Sequence, residues 1–273
     1  MTRYRTVAEQ LSPLLFRRFP RRFGRYEMLA LGSIEWMRRH LAIVNELERL
    51  RATTNAKHLT VLDFGGADGS LGRSLRLYGL AHRYRITLVD IDAAALAQPM
   101  VSPTVSSTLI DPEGFLPFEG GSFDVVVSSD VFEHIPRGTR SHWADELSRV
   151  ARLRQIHSFP ADSDDGRWIS SLVDAEFQAW HERHFGVPER WTAEHLENGV
   201  PHIDEMLRAF SGATAIGIVN AQVWLHNMKA QNGPKSPIDR LRYVLVYNRH
   251  WRKLESRPPF KNALLVVPAK RAS

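Results

Sequence analysis

Residues 61–69 read Val-Leu-Asp-Phe-Gly-Gly-Ala-Asp-Gly. A short apolar run closes on glycines interleaved with carboxylates. That is the pattern of a buried parallel strand leaving the core at a ligand-binding edge. Glycines let the backbone turn tightly and approach a ligand closely. Residues 70–79 then take helical spacing, and the start of that helix offers free N–H groups.

Outward from this point, strands and helices alternate. Residues 58–64 form the first strand. Arg85–Asp90 is the second and Thr104–Ile110 the third. Phe123–Ser129, with Val125, Val126 and Val127 in a row, is the fourth, and Leu153–Phe159 the fifth. Helices are expected at 70–79, 93–98 and 139–151. Such alternation predicts βαβ units, a parallel sheet and right-handed crossovers. Ala213–Asn220 and Ala263–Val267 supply two later strands. The fold expected is α/β: a doubly wound, mostly parallel, seven-stranded Rossmann-like sheet. Upstream, residues 7–19 and 26–51 read as helices, giving a helical cap over 1–57 before a main domain over 58–273. The alternation breaks after Pro160. Residues 161–211, with Trp168, Trp180, Trp191 and several histidines, read as a helical insertion on the acceptor side.

In open α/β sheets the ligand binds beyond the carboxyl ends of the strands, where strand order reverses. The first strand ends in Asp63-Phe64-Gly65-Gly66-Ala67-Asp68-Gly69 and the second in Asp90, an acid placed to accept hydrogen bonds from ribose hydroxyls. A dinucleotide needs G-x-G-x-x-G for its pyrophosphate. Counting from Gly65, the third and sixth positions are Ala67 and Ser70, so that fingerprint fails and a nicotinamide-dependent oxidoreductase is disfavoured. A Walker loop is excluded because no G-K-[ST] is present.

These motifs resemble those of class I S-adenosylmethionine (SAM)-dependent methyltransferases of the type 11/12 kind. Residues 61–69 look like the family's V-L-D-x-G-x-G-x-G, with Ala67 replacing one glycine. Leu88-Val89-Asp90-Ile91-Asp92 resembles the second motif. Asp111 with Leu116-Pro117-Phe118 resembles the D-x-x-x-L-P-F segment, one residue longer than usual. Residues 122–136 resemble the fourth-strand motif with its E-H-I ending, and Phe159-Pro160 the end of the fifth strand. The resemblance spans about residues 59–160. It implies SAM as cofactor, held by Asp63, Gly65, Gly66, Ala67, Gly69, Asp90, Ile91, Asp111 and Ser129. Asp90 would take the ribose and Asp111 the adenine amino group.

In this family the cofactor carries the reactive methyl and the protein aligns the reactants. Hydroxyl acceptors also need a base. His134 is one candidate; bonding the loop backbone is another role for it. A third reading is metal binding. Asp130-x-x-Glu133-His134 is similar to the E-x-x-E-H of ubiquinone-biosynthesis-type O-methyltransferases, where those residues hold a divalent cation. No metal is favoured, and Asp130, Glu133 and His134 are the set if one binds. His181 and His184 share a helix face at i,i+3 and could line an acceptor pocket with Trp180 and Trp191; the alternative is a surface helix capped by Gly186. His157 reads as a buried, hydrogen-bonded strand residue. Trp180-His181-Glu182-Arg183-His184 is not the H-E-x-x-H of a zinc protease.

The chain has 273 residues, 43% hydrophobic and 24% charged, with no cysteine, so it has neither disulfides nor thiolate metal sites. No apolar run reaches membrane-spanning length, and the N-terminus lacks a signal-like apolar region. A cytoplasmic location is expected. The formal charge is +6, and Arg3, Arg5, Arg17, Arg18, Arg21, Arg22 and Arg25 face one acid, Glu9, in the first 25 residues. Either this is a solvated basic face or it meets an anionic partner, including a membrane surface. Nucleic acid is disfavoured, because no zinc-finger spacing or aromatic–basic RNA signature accompanies the charge. The segment after Pro160 loosely resembles methyltransferases of surface-glycan and lipid-linked saccharide pathways. That resemblance implies O-methylation of a sugar. The alternatives are small-molecule O- or N-methylation in secondary metabolism, and a SAM-binding subunit without activity. The oligomeric state is open.

Overall fold

The computed structural model describes residues 34–66, 69–97, 105–233, 253–254 and 256–268. The helix read at 7–19, the N-terminal arginines and Ala67 lie outside the described residues. Helix α1 spans Ile34–Thr54 and leads into β1, Leu59–Phe64. Then come α2 (Ser70–Leu77), β2 (Tyr84–Asp90), α3 (Ala93–Leu96), β3 (Val105–Leu109), β4 (Phe123–Ser129), α4 (Arg140–Val150) and β5 (Ala151–Pro160). The insertion holds α5 (Ser170–Phe185), α6 (Arg190–Asn198) and α7 (Ile203–Ala209). The chain finishes with β6 (Thr214–Asn220), α8 (Ala221–Asn232) and β7 (Phe260–Pro268).

The sheet has seven strands in the order β3-β2-β1-β4-β5-β7-β6. The neighbours from β3 through β5 are parallel, and β7 runs antiparallel between β5 and β6. This is the expected doubly wound sheet. Chain order reverses between β1 and β4, so the ligand crevice is expected beyond their carboxyl ends.

Side-chain alternation explains why the sheet is covered on both sides. Leu59, Val61, Val125 and Val127 point into one core with Ile43, Val44, Leu47 and Leu50 of α1 and Leu71 and Leu75 of α2. Leu62, Phe64 and Val126 point into the other, with Trp143, Leu147 and Val150 of α4. Helix α1 therefore covers a sheet face as an integral layer. The insertion is divided in a similar way. Ile203 and Met206 of α7, with Phe210 just after it, enter the main core, and Phe210 stacks on His157 with centroids 4.6 Å apart. Helices α5 and α6 lie outside that core, joined through Phe177 of α5 to Trp224 of α8.

Candidate cofactor and acceptor site

The bend after β1 is closely packed. Gly65 has φ +66° and donates its N–H to Val89 O at 2.8 Å. A Cβ there would stand 2.5 Å from Val131 Cγ2, and one on Gly66 2.5 Å from Leu88 Cδ2. The bend is therefore wedged between the ends of β2 and β4, and only glycine fits at the left-handed Gly65. Gly69, at φ 73°, begins α2 and donates to Gly66 O at 2.9 Å.

Around this bend stand the other residues picked out in the sequence. Asp63 is buried in β1. Asp90 ends β2 and accepts from Asp92 N at 3.0 Å, while Asp92 caps α3 through Ala94 N and Ala95 N. Ile91, just past β2, is 59% exposed. Ile110 N donates to Asp90 O, which holds Asp111 just past β3 beside the end of β2. Asp111 closes a turn by accepting from Glu113 N at 2.9 Å. Ser129 ends β4, paired in register with Ser158. Three carboxylates thus stand at or just beyond the ends of adjacent strands. That donor set fits a sugar hydroxyl and a cationic sulfonium and opposes a pyrophosphate.

The turn after β4 forms the other half. Asp130 has φ 53°, a conformation Asp tolerates better than most residues, and its N–H donates to Ser158 O at 2.8 Å. Its carboxylate pairs with Arg39 of α1 and accepts from Asn262 Nδ2 at 3.2 Å. Glu133 is completely buried, and neither carboxylate oxygen has a hydrogen-bond partner among the described residues. His134 is partly exposed. It meets α6 edge-on, 5.5 Å from the Trp191 ring and 4.9 Å from the His195 ring, with Glu194 Oε1 3.1 Å from its Nδ1. Trp191 is 51% exposed and carries the Arg190 guanidinium 4.5 Å from its centroid.

A buried polar chain backs this wall. His195 Nδ1 lies 3.2 Å from Asp174 Oδ2, which also accepts from Lys261 Nζ at 2.7 Å. Burial pushes the Asp174 carboxyl up, but Lys261 and His195 outweigh it and hold it below the usual range. Arg140 fastens the end of α6 to the turn after β4. It donates to Ile135 O at 3.0 Å and to the carbonyls of Asn198 and Gly199.

His181 and His184 sit elsewhere. His181 Nδ1 is 2.8 Å from Val187 O and His184 Nδ1 2.8 Å from Trp180 O, and their ring contacts stay within residues 177–185. Helix α5 ends at Gly186 in the left-handed conformation, as a surface helix would. His157 is fully buried, bonded to Ser128 Oγ at 2.8 Å and Gln155 Oε1 at 3.2 Å. Burial pushes its pKa down to about 3. Sequence reasoning missed Arg39, Arg140, Asp174, His195 and Lys261. Only His195 left a local signal: with Trp191 and Glu194 it occupies positions i, i+3 and i+4 of one helix face.

Residues 34–208 match the family model described as a methyltransferase domain. An uncharacterized methyltransferase of Mycolicibacterium gilvum (strain PYR-GCK) is 32% identical over 112 residues. The match takes in 41% of this chain and 42% of that protein, so the chain spans under half of this curated relative. Among solved structures, phosphoethanolamine N-methyltransferase 2 of Haemonchus contortus superposes with a TM-score of 0.52. It is 14% identical, over 94% of this chain and 60% of that one. A SAM-dependent methyltransferase of Archaeoglobus fulgidus gives 0.45 at 12% identity, over 81% and 91%. At 14% identity the Haemonchus structure shows a shared fold, while the family model covers most of the chain. The chain belongs to the methyltransferase-domain family, the class I SAM-dependent methyltransferases.

Proposed function

We propose that this protein moves a methyl group from SAM to an acceptor hydroxyl, in a sugar of a glycan or lipid-linked saccharide. SAM supplies an electrophilic methyl on its sulfonium. Asp90 holds the ribose hydroxyls, Asp111 the adenine amino group, and Ile91 lends apolar surface to the base. Asp63, the Gly65–Gly69 bend with Ala67, and Ser129 complete the cofactor's surroundings. Positioning of this kind supplies roughly 7–11 kcal/mol of a displacement barrier.

The acceptor side is carried by one observation: the half-exposed Trp191 ring standing edge-on to His134 just after β4. An exposed indole beside an imidazole suits stacking on a sugar ring, with His134 taking the hydroxyl proton. His181 and His184 have no part in that step under this reading. Residues 161–189, carrying α5, and α6 form the acceptor-side wall of the domain over 58–273. A small aromatic acceptor fits the same indole and is the second reading. No described helix is long and apolar enough to cross a membrane. Contact with an anionic carrier falls to the Arg-rich first 25 residues in a cytoplasmic protein peripheral to the membrane.

The test is label transfer from methyl-labelled SAM to glycans, lipid-linked saccharides and small phenols or amines. Label on saccharide hydroxyls is expected, and label confined to phenols or amines sinks the sugar reading. SAM binding by calorimetry without any labelled product would mark the chain as a silent binding subunit.

A further inference from the structure

The turn after β4 and the wall helix α6 bring together Glu133, His134 and His195, of which the proposed methyl transfer uses only His134. One ligand atom from each of Glu133, His134 and His195 lies within 4.8 Å of the others. Glu133 is fully buried with both carboxylate oxygens unpartnered among the described residues. A buried carboxylate in that condition is strongly disfavoured unless a cation meets it. Arg140 is the charged neighbour, yet its Nε and Nη2 donate to the carbonyls of Ile135, Asn198 and Gly199.

Each imidazole has a carboxylate near its Nδ1, and the one at His195 is hydrogen-bonded to it. Asp174 stands 3.2 Å from His195 Nδ1, which leaves Nε2 facing Glu133 Oε1 at 4.0 Å. Glu194 stands 3.1 Å from His134 Nδ1. The Asp174 carboxylate behind His195 fixes that ring's tautomer and raises the basicity of its other nitrogen, as found behind metal-bound histidines. An imidazole lone pair facing a carboxylate oxygen at 4.0 Å is a repulsive pair of acceptors, and an ion bonded to both at about 2.0–2.2 Å resolves it. Asp130 is committed differently, to Arg39 and Asn262.

We propose that Glu133, His134 and His195 bind one divalent first-row transition-metal ion, with Asp130 outside the ligand set. Two nitrogens and one oxygen suit zinc, cobalt, nickel or iron(II) better than magnesium, which prefers oxygen. Because His134 and Glu133 follow β4 while His195 belongs to α6, the ion ties the acceptor wall to the sheet. With the ion bound, His134 is a ligand rather than the free base proposed above, so the two roles exclude each other, and metal binding is tested apart from catalysis.

The full-length protein is stripped with a chelator and titrated with cobalt(II), zinc and magnesium, following cobalt absorption and heat. One equivalent of cobalt is expected, with visible bands of nitrogen-ligated low-coordinate metal; zinc competes, and magnesium binds at least 100-fold more weakly. The zinc complex melts at a higher temperature than the stripped protein. Glu133→Gln and His195→Ala each lower cobalt affinity at least tenfold, Asp174→Asn lowers it about 10–100-fold, and Asp130→Asn leaves it unchanged. Circular dichroism confirms that each variant folds. No stoichiometric cobalt spectrum in the wild-type protein overturns the proposal. Full affinity in folded Glu133→Gln or His195→Ala overturns it too, and loss of affinity in Asp130→Asn overturns the assigned ligands.

Discussion

The two halves of the site are built by different means. The proposed cofactor side is a series of strand ends, each a contiguous piece of sequence: a glycine bend after β1, an acid ending β2, an acid past β3. The proposed acceptor side is assembled at long range. His134 follows β4, His195 comes from α6, Asp174 from α5, Lys261 from β7 and Arg39 from α1. Main-chain geometry holds the first half in place, and buried charges hold the second. The halves should therefore fail in different ways.

The sharpest test removes the charge that anchors the wall. Lys261 is buried in β7, joined to Asp174 and Ser170 and set 4.7 Å from the Trp224 ring centroid. Lys261→Met leaves the buried Asp174 carboxylate with His195 as its remaining partner, and breaking such a buried pair costs up to about 3–5 kcal/mol. Urea denaturation should show that loss. Adding Asp174→Leu should restore part of it, because an apolar pair no longer strands a charge. A loss under 1 kcal/mol in the single variant would mean the pair does not anchor the wall.

Acid should act on the layers around the sheet. His157 and His40 are both buried, with pKa values pushed down to about 3. Burial is the cause for His157; for His40, burial comes first and the charges of Arg39 and Arg73 add to it. The unfolded chain binds protons at these sites near the ordinary value of 6.5, while the folded chain does not. Their stabilisation is therefore complete above 6.5 and is lost as pH falls toward 3. At pH 5.5 each should have surrendered about 1.4 kcal/mol. Stability measured from pH 7.5 to 5 should fall with this slope, and His157→Gln should flatten it. An unchanged slope in that variant would remove His157 as a source.

What the sequence disclosed follows the same division. The mostly parallel sheet and the residues at the ends of β1 to β4 were readable because each strand lies within one local run of apolar residues, glycines and acids. Glycine at 65 announces its left-handed turn from the residue type alone. Asp174 and Lys261 announce nothing, since their partnership exists only once β7 has inserted beside β5. His181 and His184 drew attention by composition, yet their bonds are to nearby main-chain carbonyls. Asp130 and Glu133 sit three residues apart in one motif, but the reversal at Asp130 sends their carboxylates to different neighbours.

On the cofactor side, Gly65→Ala should cost about 1–3 kcal/mol, from a strained φ and a Cβ 2.5 Å from Val131. Gly121→Ala is its control: φ is +70° but nothing lies within 4 Å of the added carbon, so only the backbone term of about 1 kcal/mol remains. Equal losses would mean the bend is not wedged. Asp90→Ala should weaken SAM by about 1–3 kcal/mol in calorimetry, the worth of charge-assisted hydrogen bonds to the ribose. Unchanged affinity would detach Asp90 from that role.

The smallest effect separates the halves most cleanly. Trp191 is half-exposed on α6 and stands outside the buried clusters of the core, so Trp191→Ala should leave stability within about 0.5 kcal/mol. Removing a stacking surface worth about 0.5–1.5 kcal/mol should raise the acceptor KM roughly 2–12-fold. In the proposed arrangement the indole serves the acceptor and Asp90 and Asp111 serve SAM, so SAM affinity should not move. Steady-state kinetics with calorimetry on the same sample decides the matter. A rise confined to acceptor KM supports independently built halves, whereas a matching loss of SAM affinity would show that α6 also shapes the cofactor pocket.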